Sequence, residues 1–509
     1  MKRLNRELIA HNNLPAFVDR FDQENLPEKV VQFGEGNFLR GFVDWMIQQV
    51  NKQGLFNGRI VAIQPTPHGK VVPKLNEQDG LYTFLLQGIE DGEKIEKYEV
   101  VSSISRGINP YENWDEVLTL AESETIEFVF SNTTEAGLTY TKETYSPNVS
   151  PLSFPGKLAA FLHHRFRNQN GNPAAGLTMI PCELVEGNGD LLKEIILKIS
   201  DDWGFDEDFK AWVKKHNHFC NTLVDRIVPG YPKDNIERYQ EKLGYKDQLF
   251  GVGEPYHLFA IEADSTVSKS LPFEQAGLNV KWGDVTPYRD LKVSILNAPH
   301  TMMFSVGYSA GLNTVYEVME DSQLFQFVQT AIEQEILPVV PFDEREKRQF
   351  ANSVIERFKN PFVKHSLNDL GLNAFSKFKT RVLPLLSIWI DEKQEIPPFM
   401  SFSLAALLAY YRPKTIINEE QMIGTRGVEE YSIRDSKEAI RVMSEGWDMY
   451  NNKKQTIEQL VQTVLRQEVL WGRDLSKIEG FTQKVSSDLE EIVHSGVRNT
   501  LNKVAWKVV

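Results

Sequence analysis

The stretch Val30-Val31-Gln32-Phe33-Gly34-Glu35-Gly36-Asn37-Phe38-Leu39-Arg40-Gly41 leaves a chain few ways to fold. Four residues that favour a short buried strand run into a turn with two glycines, and residues 42–50 then place apolar side chains at helical spacing. Strand, glycine turn and helix in succession open a βαβ unit, and such units build a parallel sheet with helices on both faces. Gly34 permits the tight turn, Gly36 lets the backbone approach a phosphate, and the helix start supplies oriented N–H groups. A pyrophosphate suits this turn. Phe33, Gly34, Glu35, Gly36, Asn37, Phe38, Leu39 and Arg40 are therefore candidates for dinucleotide contact. The fingerprint is incomplete, because Leu39 stands where a third glycine is expected. An ordinary strand-to-helix turn with a surface arginine is the competing reading; otherwise Arg40 is placed to meet a phosphate or a carboxylate.

Further strands and helices extend the α/β pattern. The strand 59–64 ends on Gln64 rather than on the acidic residue that usually holds the adenosine ribose. An amide there bonds a ribose hydroxyl without repelling a 2′-phosphate, so the residues leave NAD and NADP both open. Residues 82–87 and 97–103 read as a hairpin inserted into the parallel pattern. Residues 114–121 read as a helix. The apolar strand 127–131 opens into Asn132-Thr133-Thr134-Glu135. Ligands of doubly wound sheets bind beyond the carboxyl ends of strands, which makes Asn132, Thr133 and Glu135 candidates for cofactor or substrate contact. A helix over 155–167, a strand over 177–181 and helices over 190–216 follow. In Thr222-Leu223-Val224-Asp225-Arg226-Ile227 an acid and a base sit side by side in an apolar run. On a strand they face opposite ways, so at least one is expected to be buried and paired elsewhere.

From residue 287 the pattern turns helical, over 292–306, 322–336, 343–358, 366–388, 403–411 and 454–501, with few convincing strands. The fold class is thus α/β, with a doubly wound domain over 1–286 and a mainly α-helical domain over 287–509. The helical part opens on Lys292-Val293-Ser294-Ile295-Leu296-Asn297-Ala298-Pro299-His300. At about 100° per residue, with Lys292 at zero, His300 falls near 80° and Asn297 near 140°, in one arc. Leu296 and Met303 share that arc, so a buried helix carrying polar groups is expected. Burial lowers a lysine's preference for the charged form and makes it a usable general acid or base. Asn297 is suited to donate to a carbonyl or alkoxide oxygen, and His300 to hold that oxygen or orient the lysine. Pro299 is expected to kink the helix.

Length and charge bound the rest. A chain of 509 residues needs at least two cores, since single cores stop growing at roughly 250 to 300 residues. With 56 Lys+Arg against 70 Asp+Glu, a formal charge of −14, and no basic run, nucleic acid is not an expected partner. No run of about 18 apolar residues and no signal-peptide pattern is present, so a cytoplasmic protein without a membrane partner is expected. Cys182 and Cys220 lack the paired spacing of a zinc site and read as buried apolar residues; no metal is expected.

The K-x4-N-x2-H motif, Val224-Asp225-Arg226-Ile227 and Gly34-Glu35-Gly36-Asn37-Phe38 together resemble the polyol-specific long-chain dehydrogenases, the mannitol dehydrogenase family, over nearly the whole chain. Residues 32–40, 130–137, 181–184 and 224–232 are similar to a branch of that family that acts on hexuronates. The resemblance implies a Rossmann-type N-terminal domain, a helical C-terminal domain and a site between them. It implies metal-independent hydride transfer between NADH and the ketone of a small uronate, giving an aldonate, in bacterial galacturonate catabolism. It implies Lys292 as acid/base, Asn297 as oxyanion donor and His300 as the orienting group, and NAD as the cofactor where Gln64 left the choice open. Polyol-oxidising relatives carry an asparagine where Leu184 stands, so Asn188 is the candidate second amide donor. Asp369 stands where those relatives have an arginine. The substrate is then an anion, and Arg226, Lys377 or Arg381 is expected to meet its carboxylate, with Asp225 also on the substrate side. A sibling hexuronate or polyol activity, or a nucleotide-binding protein without catalysis, stays open, as does the oligomeric state.

Overall fold

In a computed structural model that describes residues 1–11 and 13–505, the chain divides into two units, Met1–Tyr288 and Arg289–Val509. A six-stranded parallel sheet organises the first. Its strands are β1 (Glu28–Phe33), β2 (Arg59–Ile63), β3 (Ile104–Ile108), β4 (Phe128–Ser131), β5 (Thr178–Pro181) and β6 (His218–Phe219). They lie in the order β6-β5-β4-β1-β2-β3, every neighbouring pair parallel. This is the doubly wound order, and strand succession reverses between β1 and β4.

Alternation along the strands feeds two cores, one on each face. Val30, Ile60, Ala62, Phe128, Phe130 and Ile180 pack with Met46, Ile47 and Val50 of the helix Val43–Lys52. Val31, Phe33, Val61, Ile63, Val129 and Met179 pack with Leu158, Phe161 and Leu162 of the helix Phe154–Asn168. The hairpin is present as Tyr82–Glu90 and Glu93–Val101, but it does not join the parallel sheet. It builds a four-stranded sheet with Gly251–Gly253 and Val18–Arg20. Thr222–Asp225, Leu258–Ile261 and Val280–Trp282 form a third sheet.

The second unit is mainly helical. The helix Pro398–Tyr410, PFMSFSLAALLAY, is apolar on all sides and buried along almost its whole length, as a helix at the centre of a core must be. It packs on Ala298–Ser309 and on Phe481–Ser495. Its first turn is capped from outside the helix. The buried Glu335 accepts the N–H groups of Phe399 at 2.6 Å and Met400 at 2.7 Å, while Pro398 has no N–H to satisfy.

Two expectations for this half are corrected. Pro413–Asn418, Gln421–Arg426 and Glu429–Arg434 form a three-stranded antiparallel sheet in a stretch of the mainly helical half to which the sequence pattern assigned no element. Residues 366–388 are not one helix; they break into Leu367–Leu370, Ala374–Lys377, a π turn at Phe378–Val382 and Leu383–Lys393. Asn373, with φ of 53°, interrupts the helical path. Among the described residues no helix is long and apolar enough to cross a membrane.

Candidate active site

In the first unit the site begins at the turn after β1. Gly34 has φ of 121°, and a Cβ there would lie 2.9 Å from the carbonyl oxygen of Asn132, so only glycine lets the turn sit against the end of β4. Over Gly36 a Cβ would meet nothing within 4 Å. The backbone is open on that side, which is the space a pyrophosphate requires. Leu39, in place of the third glycine, is buried with its Cδ1 3.1 Å from the Gly34 Cβ position; its side chain fills the gap that a glycine would close by tighter packing.

Arg40 does not reach outward. Its guanidinium is buried and donates to the carbonyl oxygen of Glu35 and, at 2.6 Å, to Oδ1 of Asn37. It braces the turn from inside, which corrects its expected place as a phosphate or carboxylate ligand. The Phe33 side chain is likewise in the core, against Phe154. Burial pushes the Glu35 carboxyl up to about 7.

At the carboxyl ends of β4 and β5, Asn132 Nδ2 donates to the carbonyl of Cys182 at 3.0 Å. The Thr133 N–H and hydroxyl both donate to Glu183, at 2.9 and 3.1 Å, and Ser131 Oγ donates to its other oxygen at 3.0 Å. Glu183 thus fixes the Asn132-Thr133 loop, a role that reading the sequence did not assign. Its place just beyond a buried strand was the signal. Asn188 is fully committed. Its amide donates to the carbonyls of Pro181 and Glu183 and its oxygen accepts from the Thr222 N–H, so it is not a second oxyanion donor. Leu184 is exposed.

Gln64 is buried and donates to the carbonyl of Thr66 at 2.7 Å. The following Pro65 carbonyl accepts from Lys157 Nζ at 3.3 Å. That lysine, fully buried and also bonded to Tyr111 and Leu152, is pushed down to about 7 by burial. It is a second supporting residue that sequence periodicity did not single out.

Asp225 and Arg226 are both buried. Arg226 donates to the carbonyls of Glu254 at 2.9 Å and Gly41 at 2.8 Å, and its guanidinium lies 4.3 Å from the Trp45 ring centroid. It ties the signature segment to the helix after the glycine turn. Its donors Nε and Nη1 serve backbone carbonyls inside the first unit, while its buried Nη2 has no hydrogen-bond partner among the described residues.

In the second unit the helix that carries Lys292, Asn297 and His300 is not a plain α-helix. After Thr286–Leu291 the chain makes a π turn over Lys292–Asn297 and returns to α-geometry at Ala298–Ser309. The Ala298 N–H bonds to the carbonyl of Val293, five residues back. Pro299 explains the turn. It has no N–H, and in an α-helix its ring would strike the carbonyl four residues earlier; widening the turn moves that carbonyl aside. The same signature recurs twice, at Ala331–Ile336 before Pro338 and at Phe378–Val382 before Pro384, each with the residue before proline donating five residues back.

The π turn changes the geometry of the motif. The turn takes up one extra residue, about 100° of rotation, so Asn297 lies roughly 40° from Lys292 rather than about 140° away, and His300 follows three residues on. The triad is therefore better aligned than α-helical arithmetic implies. Its burial is uneven: His300 is buried, whereas Lys292 and Asn297 are only partly so, which corrects the expectation of a fully buried polar face.

His300 is packed between the rings of Phe358, 4.3 Å away, and His365, 4.8 Å away, and its Nε2 has no hydrogen-bond partner. Burial, and then the charges of His365, Arg357, Arg381 and Lys377, hold its pKa well below the usual imidazole value. Arg381 reaches Thr301 Oγ1 at 3.5 Å, and that hydroxyl donates to the Asn297 carbonyl at 3.0 Å. Lys377 Nζ donates to the Leu370 carbonyl at 2.9 Å. Lys377 and Arg381 are thus brought to the His300 end of the motif; His365 and Arg357 join them from elements whose periodicity carried no such sign. Among the described residues no group of three or more His, Cys, Asp and Glu side chains is placed to hold a metal ion.

Sheet order, the glycine turn at the switch point and the loops beyond β4 and β5 are those of the doubly wound dinucleotide-binding proteins. Residues 28–275 match the mannitol dehydrogenase Rossmann domain and residues 284–493 the mannitol dehydrogenase C-terminal domain, and the chain belongs to the mannitol dehydrogenase family. It is 49% identical over 506 residues to the altronate oxidoreductase of Halalkalibacterium halodurans, spanning 99% of this chain and 98% of that one. To the altronate oxidoreductase of Bacillus subtilis it is 40% identical over 504 residues, spanning 99% and 98%. Among solved structures, D-sorbitol dehydrogenase in substrate-free form matches with a TM-score of 0.80 at 21% identity, over 98% of this chain and 100% of that one. The ternary complex of Pseudomonas fluorescens mannitol 2-dehydrogenase with NAD and D-mannitol matches at 0.66 and 19%, over 99% and 100%. At these identities the likeness is one of fold.

Proposed function

We propose that this protein is an NAD-dependent oxidoreductase that interconverts D-tagaturonate and D-altronate. The observation that carries the reading is end-to-end similarity to altronate oxidoreductases in a chain that keeps Lys292, Asn297 and His300 together on one helix. The glycine turn fits a dinucleotide, since the backbone over Gly36 is open while Gly34, Asn37 and Phe38 present the turn and the helix start to that space. Asn132 and Thr133, held by Cys182 and Glu183, are its further contacts. Bound there, NADH supplies the hydride that reduces the ketone carbon.

The chain's own residues handle the oxygen. Lys292 gives a proton to the ketone oxygen as it gains charge, and in the reverse direction removes the proton from the hydroxyl. Asn297 donates its amide N–H to the same oxygen and stabilises its developing negative charge. His300, fixed by its two ring neighbours, orients the oxygen. The substrate is a small sugar acid, and Lys377 and Arg381 are the cations on hand for its carboxylate.

NADH oxidation, followed by absorbance with D-tagaturonate, D-fructuronate and D-fructose in parallel and NADPH as a control, tests the reading. A preference for tagaturonate with NADH is expected. A preference for fructuronate or fructose would overturn the substrate; NADH binding without turnover of any of the three would overturn the enzymatic reading.

A further inference from the structure

Around His300 the second unit concentrates positive charge. Lys377 and Arg381 come from the broken helix at Ala374–Val382, Arg357 from the last turn of Glu344–Phe358, and His365 from the loop that follows. Among the described residues no carboxylate lies within ion-pairing distance of Lys377, Arg381 or His365, whereas Glu344, Glu429 and Glu491 pair readily with lysines and arginines elsewhere in the same unit. Asp369 and Asp435 influence the cluster only from farther off. Burial disfavours the charged forms of Lys377 and Arg381, and cations held in such surroundings without a counter-ion are costly unless an anion arrives.

The imidazoles supply the second sign of a ligand. His300 is buried, and its Nε2 has no hydrogen-bond partner. The His365 ring stands at 71° to it with centroids 4.8 Å apart, and the His365 backbone is fixed on both sides, its N–H on the Val363 carbonyl and its carbonyl on the Val315 N–H. An imidazole on a fixed backbone, within reach of the Lys377 charge and next to His300, on which Arg381 also acts, is suited to hold the far end of a short chain whose near end is being reduced.

We propose that His365, together with Arg381 and Lys377, forms the subsite that receives the substrate's carboxylate, and that His365 is a specificity-determining residue selecting the sugar acid over the neutral sugar. This rests on the hexuronate reading above. An arriving carboxylate accepts a hydrogen bond from the His365 ring and pairs with the Arg381 guanidinium, which supplies the missing counter-ion. A neutral ketose brings no such charge and leaves the cations unanswered, so the same residues that favour the acid disfavour the polyol series.

The test compares D-tagaturonate with D-tagatose, its neutral counterpart lacking only the carboxylate, in wild type, His365→Phe, His365→Asn and Arg381→Gln. His365→Phe keeps the ring stack and removes the donor. It is expected to lower kcat/KM for tagaturonate at least about 30-fold, to leave kcat/KM for tagatose within about threefold and to leave the NADH Kd unchanged. Inhibition by D-altronate should weaken by a similar factor, and inhibition by D-altritol should not; this comparison stands even where turnover of tagatose is too slow to measure. Arg381→Gln, partly buried and away from the ring stack, should show the same loss of discrimination and covers the case in which His365→Phe does not fold. Parallel losses on acid and neutral compounds would mean that His365 only supports His300, and unchanged discrimination would place the carboxylate elsewhere; either result overturns the proposal. Wild type that does not reduce tagaturonate at all would instead overturn the function on which it rests.

Discussion

Replacing Pro299 with alanine separates the two consequences of the π turn. In the native chain the N–H that would bond the Ile295 carbonyl is absent, and the helix accommodates this by the five-residue bond from Ala298 to Val293. Alanine restores the donor and removes the ring, so the helix from Thr286 to Ser309 is free to close into continuous α-geometry. Proline costs about 3 kcal/mol against alanine in a helix interior. Part of that is already relieved by the widened turn, so a net gain of about 1 to 2 kcal/mol in unfolding free energy is expected, roughly one backbone hydrogen bond. The cost falls on chemistry. Removing the extra residue from the turn rotates Lys292 by about 100° relative to Asn297 and His300, and a misplacement of about 1 Å is already worth about 100-fold in rate. Pro299→Ala should therefore unfold later in a thermal or urea melt, bind NADH as wild type does, and lose at least about 100-fold in kcat. Pro338→Ala, at the π turn Ala331–Ile336 that carries none of these groups, is the control and should change stability without that loss. A Pro299→Ala protein with wild-type kcat, or one less stable than wild type, would refute the account of why the turn exists.

Lys292→Ala should lower kcat by at least about 100-fold, in line with loss of a general acid/base, while a fluorescence titration finds the NADH Kd unchanged; equal losses in both would make the lysine structural. Glu35, whose carboxyl is held at about 7 by burial, is neutral below that pH and negative above it. NADH binding should therefore weaken as pH rises through about 7, and Glu35→Gln should flatten the profile measured from pH 6 to 9. Glu335 is raised from 4.5 to about 7, again by burial. The fold favours its protonated form, so its contribution is greatest below pH 4.5 and falls by about 3 kcal/mol as pH rises to about 7. Glu335→Gln should remove most of that slope and, by leaving one of the two amides of Phe399 and Met400 without an acceptor, cost about 1 to 3 kcal/mol at pH 4.5; urea unfolding at pH 4.5 and 8 measures both effects.

Much of the architecture was legible without coordinates because strands and helices write their periods into the chain. The two-residue alternation of Val30/Val31 and Phe128/Val129 sends neighbours to opposite cores, and the glycines at 34 and 36 mark a turn that no other residue satisfies at the first position. The lysine, asparagine and histidine at 292, 297 and 300 lie within one stretch of helix, so their proximity is a local property. What periodicity cannot encode is the partner across space. Arg226 binds the carbonyl of Gly41, 185 residues earlier in the chain, and so ties together elements that no local pattern relates. Glu183 and Glu335 gained their roles from loops and helices far along the sequence, and His365 reached His300 from an irregular loop. The strands of Pro413–Arg434 were missed because Pro413–Asn418 is exposed on both faces and shows no buried alternation. The π turns lie between the two cases. Each proline was visible, but whether a helix answers a missing N–H with a kink or with a wider turn depends on the packing that holds both halves of the helix in place, and only the tertiary structure decides that.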